Sequence, residues 1–179
     1  MDNRKEISPR ILWLAQTGLV SAAAVVLSAF EGMLPDLPVP VPGAKLGLSN
    51  IAVMFAADCL GLNSALVTVC FKAIFAGLTR GGTAFLMSLA GGALSTIVMY
   101  LFLAVKSNRF GYIGIAVCGA AVHNTAQLCV AALLTDAAIF TYLPILLIAA
   151  VPAGSLTGLA MGLIVPPVKK LRLPGGMSG

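Results

Sequence analysis

The stretch FLMSLAGGALSTIVMYLFLAV, residues 85–105, contains no charged side chain. A helix needs about 20 predominantly apolar residues to cross the hydrocarbon core of a bilayer, and this stretch supplies them. Two other uncharged runs, residues 11–30 and 113–134, meet the same requirement. The predicted fold class is therefore all-α, an integral membrane bundle.

The overall composition indicates the same class of protein. Hydrophobic residues make up 59% of the chain and charged residues only 9%, and the mean hydropathy is +1.02. A water-soluble domain carries about 25% charged residues, so this chain could not cover a soluble fold with polar surface. The formal net charge of +5 does not indicate nucleic-acid binding, because the basic residues do not cluster with aromatic residues on a soluble module.

Apolar length predicts one transmembrane domain over residues 1–179, with six spans. These are about 11–30, 46–61, 63–78, 84–105, 113–134 and 138–165. The nearly continuous run 46–78 is divided at a hairpin around Gly61, because one straight helix of that length would measure about 50 Å. The last span is expected to kink at Pro144 and Pro152 and to stop at Pro166 and Pro167.

The ends of the spans carry the charges that predict orientation. The first run follows basic residues, but it is too long for a signal peptide and no small-residue cleavage site follows, so it is interpreted as a retained helix. Placing the N-terminus in the cytoplasm gives the inner segments eight basic residues and the outer loops two, Lys45 and Arg80. The positive-inside rule then favours six spans with both termini cytoplasmic and an extended, proline-rich extracytoplasmic loop at residues 31–45.

Lys72 lies inside the third predicted span, where a charged group costs roughly 2.5–3.5 kcal/mol and is a functional candidate by default. It falls about 13 Å from the inner start of that span, in its middle or outer half. One alternative is that its side chain snorkels to the outer headgroups instead of contacting a ligand.

His123, Asn124 and Gln127 form a polar face in the middle of the fifth span. Spacings of three and four residues put them on one side of a helix, which must point into the bundle and not into lipid. They are candidates for ligand contact. The alternative is that they form hydrogen bonds that only join helices.

The segment PGAKLGLSN, residues 42–50, enters the second span from outside and adds Lys45 and Asn50 to the candidates. The predicted substrate-binding residues all map to the outer half of one bundle and are Lys45, Asn50, Lys72, Arg80, His123, Asn124 and Gln127. This concentration of basic and amide groups favours an anionic or strongly polar ligand.

Small residues mark where helices approach each other closely. Span one carries Ala15 and the spacing Gly18-x-x-x-Ala22, and span four carries Gly91 and Gly92. For both sets, these residues permit either packing within the bundle or docking of another membrane subunit.

The sequence lacks the patterns expected of an enzyme. It has no Gly-x-x-x-x-Gly-Lys-Ser/Thr loop, no two neighbouring aspartates that could hold magnesium on a diphosphate, and no acid in the span of His123. The four cysteines lie singly in apolar segments and are interpreted as small buried side chains. No catalytic residue, metal site or cofactor is predicted.

Three segments, PGAKLGLSN at 42–50, TRGGTAFLMSLAGGALS at 79–95 and GAAVHNTAQL at 119–128, resemble those of a bacterial family of small membrane proteins. The family is called heptaprenyl diphosphate synthase component I or the Gx transporter family, and the resemblance extends over residues 10–166. It is similar to the substrate-binding S components of energy-coupling-factor importers, which are six-helix proteins with a long loop after helix one.

That resemblance implies partners. S components work with a transmembrane coupling subunit and two ATPases in the cytoplasmic membrane, and they often dock through an Ala-x-x-x-Ala pattern on helix one. This chain has Gly18-x-x-x-Ala22 in that position. The resemblance thus implies an importer subunit. Two alternatives stay open: a non-catalytic membrane subunit of a polyprenyl diphosphate synthase or of quinone biosynthesis, and a structural scaffold.

Overall fold

A computed structural model describes residues 8–33, 47–105 and 111–170, and within these ranges the chain forms six α-helices and one 3₁₀-helix. The α-helices are α1 (Pro9–Met33), α2 (Leu48–Cys59), α3 (Leu62–Arg80), α4 (Gly82–Ala104), α5 (Tyr112–Leu134) and α6 (Leu143–Lys170), and the 3₁₀-helix Ala137–Tyr142 precedes α6. Among these elements, five segments are long and apolar enough to cross a membrane, whereas α2 is shorter. The predicted all-α membrane bundle is confirmed.

Helix α2 lies at the centre of the bundle, where it packs against α1, α3, α4 and α6. Its 12 residues give it a length of about 18 Å, well short of the roughly 30 Å of hydrocarbon. Val53 and Met54 are almost fully buried. A helix that its neighbours shield from lipid has no need to span the bilayer by itself.

A tight turn at Leu60 and Gly61 joins α2 to α3, which confirms the predicted hairpin. Gly61 has a φ of 91°, a conformation that glycine adopts without the steric cost of a Cβ. We call the end of the bundle that contains this turn the inner end, and the opposite end the outer end. Because α3 has 19 residues and α2 only 12, α2 begins about 10 Å short of the outer end of α3.

Asp58 joins three helices at the inner end. Its carboxylate accepts hydrogen bonds of 2.8 Å from the Tyr112 hydroxyl at the start of α5 and from the Lys169 ammonium near the end of α6. The C-terminal ends of α2 and α6 and the N-terminal end of α5 therefore lie together. This arrangement agrees with the predicted path of the chain.

Glycines allow the closest helix contacts. A Cβ at Gly158 would lie 2.3 Å from the Ile113 Cα, and a Cβ at Gly92 would lie 2.6 Å from the Val69 Cγ1. A larger side chain at Gly158 would meet backbone atoms and force α6 away from α5, whereas one at Gly92 would displace the Val69 side chain. The close packing expected of the Gly91 and Gly92 pair is present between α4 and its neighbours α3 and α5.

The predicted stop at Pro166 and Pro167 is wrong, because α6 continues through Pro152, Pro166 and Pro167 to Lys170. Each proline removes a backbone N–H, but its fixed φ is compatible with a helix. Contacts on either side hold the turn, since Val165 is buried and Lys169 pairs with Asp58. Pro144 lies in the first turn of α6, where the missing N–H has no intrahelical partner to lose.

The predicted burial of the cysteines is wrong for three of the four. Cys70, Cys118 and Cys129 are exposed on the bundle surface, and Cys59 is half-buried. A thiol behaves as a small apolar group, so lipid is as suitable an environment for it as the protein interior. Apolar periodicity could not separate the two environments, because apolar residues occupy both the buried and the exposed sides of these helices.

Helix α1 divides its small and hydroxyl residues between two faces. Thr17 and Ser21 are buried and hydrogen-bond to Ser64 and Thr68 of α3, at 2.8 and 3.1 Å. Ala15, Gly18 and Ala22 lie on the exposed side, and nothing lies within 4 Å of a Cβ built at Gly18. Packing within the described bundle therefore does not account for the Gly18-x-x-x-Ala22 spacing.

Candidate ligand-binding cavity

A cavity of about 260 Å³ occupies the outer half of the bundle. It lies beyond the N-terminus of α2, where the short central helix leaves space between the longer helices around it. All six α-helices contribute side chains to its wall. The cavity is thus a consequence of the length of α2.

The structure brings together six of the seven residues predicted to bind substrate. Those that line the cavity are Asn50, Lys72, Arg80, His123, Asn124 and Gln127. The seventh, Lys45, lies outside the described residues. The expected convergence of α2, α3 and α5 is therefore present, and substrate binding by these residues stays a prediction.

Lys72 points into the bundle from α3. Its side chain is only 7% exposed, and its Nζ donates a 2.6 Å hydrogen bond to the Oδ1 of Asn50 on α2. A snorkelling side chain would instead be exposed at the headgroups, so that alternative is wrong. Because an ammonium can only donate, the oxygen of Asn50 must face Lys72, and the amide NH₂ forms the other end of that side chain.

The polar face of α5 both lines the cavity and joins helices. Asn124 donates from Nδ2 to the carbonyl oxygen of Leu146 on α6 at 2.9 Å. Since that carbonyl can only accept, the Asn124 oxygen must lie at the opposite end of the amide. His123 is 9% exposed, and within the described residues its Nδ1 is buried without a hydrogen-bond partner. Hydrogen bonding between helices and a place on the cavity wall are therefore compatible roles for this face of α5.

Gly91 holds the α5 face against α4. A Cβ at Gly91 would lie 2.8 Å from the Gln127 Cγ, 3.0 Å from the His123 carbonyl oxygen and 3.1 Å from the His123 Cε1. Only glycine allows α4 this close to both cavity side chains. Gly91 therefore fixes where the imidazole and the Gln127 amide lie.

Glu31 was expected in the extracytoplasmic loop, and that expectation is wrong. It belongs to α1, is 7% exposed and lines the cavity. Its carboxylate accepts hydrogen bonds from the backbone N–H of Leu48 at 2.8 Å, from the backbone N–H of Ser49 at 3.5 Å and from the Ser49 hydroxyl at 3.1 Å. The first N–H groups of a helix lack intrahelical partners and carry partial positive charge. The Glu31 carboxylate on α1 satisfies them and so caps α2.

This cap explains why α1 extends past the predicted boundary. Gly47, the residue before α2, has no side chain with which to cap the helix, and Glu31 takes that role from α1. The sequence held one indication: Glu31 follows the small polar residue Ser28 by three positions and would share its face if the helix continued. The prolines that follow, from Pro35 onwards, instead predicted an extended loop that begins at residue 31.

Other cavity residues were missed because their types carry no chemical signal. These residues are Ser28, Gly47, Ser49, Thr83, Ala84, Met87, Ser88, Ala120, Ala149 and Ala153. Thr83 and Ser88 do belong to the segment 79–95 that carries the family resemblance. The alanines are indistinguishable in sequence from those that face lipid.

The charges on the described cavity wall are two cations, Lys72 and Arg80, and one carboxylate, Glu31. The carboxylate is hydrogen-bonded to the start of α2, where the partial positive charge of the helix N-terminus offsets part of its charge. Lys72 is buried, where charge interactions are stronger than in water. The described wall therefore carries more cationic than anionic side chains.

A comparison with known protein families places most of this chain in one of them. The profile of the heptaprenyl diphosphate synthase component I family matches residues 20–164. Neither a search of curated proteins nor a search of solved structures gave a match. The matched region contains all the described cavity residues, and the chain belongs to the heptaprenyl diphosphate synthase component I family.

Proposed function

We propose that this protein is the substrate-binding membrane subunit of an energy-coupling-factor-type importer, and that it takes up a small anionic or polar metabolite. The observation that carries the proposal is the cavity at the outer end, in which Lys72, Asn50, His123, Asn124 and Gln127 meet from three helices. Polar and charged side chains are costly in a membrane and cluster there at ligand sites. A scaffold would not require polar side chains from three helices to line one cavity.

The distribution of charge supports uptake from outside the cell. Lys169 and Lys170 lie in the last turn of α6 at the inner end, and Arg10 lies in the first turn of α1 there. Basic residues favour the cytoplasmic side of a membrane. With the inner end in the bacterial cytoplasm, the cavity lies towards the extracytoplasmic side.

Separate subunits supply the energy in this proposal, and the chain itself is not an enzyme. Its sequence has no phosphate-binding loop with which to hydrolyse ATP. A transmembrane coupling subunit docks on the exposed face of α1 that carries Ala15, Gly18 and Ala22, and two ATPases bind that subunit. Small residues on an exposed helix face allow a second helix to approach closely.

The family description favours a second candidate, a non-catalytic membrane subunit of a polyprenyl diphosphate synthase. Affinity purification of the tagged protein from native membranes in a mild detergent distinguishes the two. Co-purified ATPases and a further membrane subunit would support the importer. A soluble prenyltransferase without ATPases would refute the importer in favour of the second candidate.

Mass spectrometry of small molecules released from the purified protein tests ligand binding directly. Lys72→Ala and Asn124→Ala should each abolish retention of the wild-type ligand while the protein stays monodisperse in detergent. Lys170→Gln is the control, because it removes an exposed cation at the other end of the bundle. Equal retention by both cavity variants and the wild type would eliminate the site.

A further inference from the structure

We infer that the cavity selects a small organic acid that also carries an N–H or O–H donor, with the acid group facing Lys72 and Asn50 and the donor facing Asn124. The inference rests on the proposed function, because it takes the cavity to be a ligand site. It goes further by assigning a chemical group to each part of the cavity wall.

The acid side is defined by the orientation of Asn50. Its oxygen accepts from the Lys72 ammonium at 2.6 Å, so its amide NH₂ is the end left to contact other groups. An ammonium and an amide NH₂ both donate, and together they are complementary to an acceptor with negative charge. Glu31 lines the same cavity, but its two oxygens are directed at Leu48 and Ser49 at the start of α2.

The donor side is defined by Asn124 and His123. The Asn124 Nδ2 is held by the Leu146 carbonyl, so the Oδ1 is the acceptor that the amide offers to other groups. The His123 Nδ1 is buried and, within the described residues, lacks a partner. A buried polar atom without a hydrogen bond is costly, so a ligand donor that reached this nitrogen would relieve that cost.

The body of the ligand contacts apolar wall. Met87, Ala84, Ala120, Ala149 and Ala153 supply the apolar part of the cavity wall, and the remaining lining includes the polar side chains of Ser28, Arg80, Thr83, Ser88 and Gln127. At about 260 Å³ the cavity is slightly smaller than a typical drug-sized site, which begins at roughly 300 Å³. A single aromatic or aliphatic unit with two polar ends therefore matches both its size and its chemistry.

Matched triplets of small compounds test the assignment on the full chain in detergent, after any bound native ligand has been removed. One triplet is indole-3-carboxylate, its neutral amide, and its 1-methyl derivative, which keeps the acid but loses the N–H. Pyrrole-2-carboxylate and imidazole-4-carboxylate, each with its amide and N-methyl derivative, give two more. Thermal stabilisation identifies the scaffolds that bind, and isothermal titration then gives the dissociation constants.

We expect the unmodified acid to bind most tightly in every triplet that binds, with amidation and N-methylation each weakening binding about tenfold or more. Lys72→Gln should remove the preference for acid over amide but keep the preference for N–H over N-methyl. Asn124→Leu should do the reverse. Lys170→Gln should change neither.

Two results would overturn the inference. If the amides bind as tightly as the acids, or the N-methyl acids as tightly as their parents, the cavity binds ligands but not this class, and the proposed function survives. If no acid in any triplet stabilises the protein, the assigned class is also wrong. The importer proposal is then judged separately, by the subunits and small molecules that co-purify.

Discussion

The contact between α5 and α6 leads to a sharp prediction about Gly158. An alanine Cβ there would lie 2.3 Å from the Ile113 Cα, 2.6 Å from the Ile113 nitrogen and 2.8 Å from the Tyr112 carbonyl carbon. These are backbone atoms, which cannot rotate away as a side chain can. Ordinary contact begins at 3.4 Å, so Gly158→Ala must move α6 away from α5 by about 1 Å, which is overpacking of the kind that destabilises cores.

The expected loss follows from two opposing effects. Overpacking of a well-packed interior costs about 1–3 kcal/mol, and backbone clashes belong at the upper end. Alanine recovers up to about 1 kcal/mol through its higher helix propensity. The net loss in the free energy of unfolding is about 2 kcal/mol, which corresponds to a melting temperature lower by roughly 4–8 °C for a chain of this size.

Gly162→Ala is the matched control, because it lies one turn further along α6 and nothing lies within 4 Å of its added Cβ. It should melt at or slightly above the wild-type temperature, since only helix propensity changes. The assay is the loss of the monodisperse protein peak after heating in detergent. The reasoning is refuted if Gly158→Ala melts with the wild type, or if Gly162→Ala loses as much stability.

Further predictions concern the two ends of the bundle and the α4 contact. Glu31→Gln should lower the free energy of unfolding by about 1–2 kcal/mol, because the amide caps α2 less well than the carboxylate. Amide hydrogen exchange at Leu48 and Ser49 should accelerate, and unchanged exchange there would contradict the cap. Asp58→Asn should destabilise the protein more than Lys169→Gln, because Asp58 also accepts a hydrogen bond from Tyr112, whereas Lys169 is half-exposed. Equal melting temperatures for the two variants would contradict this prediction. Gly91→Ala should weaken retention of the co-purified ligand at least about tenfold, since a 1 Å displacement of site residues is costly. The control Gly82→Ala should retain the ligand as the wild type does, because nothing lies within 4 Å of a Cβ at Gly82.

The sequence by itself determined the membrane bundle, because hydrocarbon imposes a minimum length on every uncharged helix that crosses it. It also determined that His123, Asn124 and Gln127 share a face, since helical periodicity allows no other arrangement. The cost of a charge in lipid marked Lys72 as a functional candidate but left open whether its side chain was buried or snorkelled. These inferences depend only on local rules and on the solvent.

Only the tertiary structure decided which groups meet. Glu31 became part of the cavity wall because the first N–H groups of α2 needed an acceptor, and that acceptor lies 17 residues earlier in the chain. Helix α6 continued through its prolines because Val165 and Lys169 make contacts on the inner side of the bundle. The cavity itself exists because α2 is shorter than the helices around it, and the orientations of the Asn50 and Asn124 amides follow from their partners on other helices. Such contacts join residues that are distant in sequence, so no local pattern encodes them.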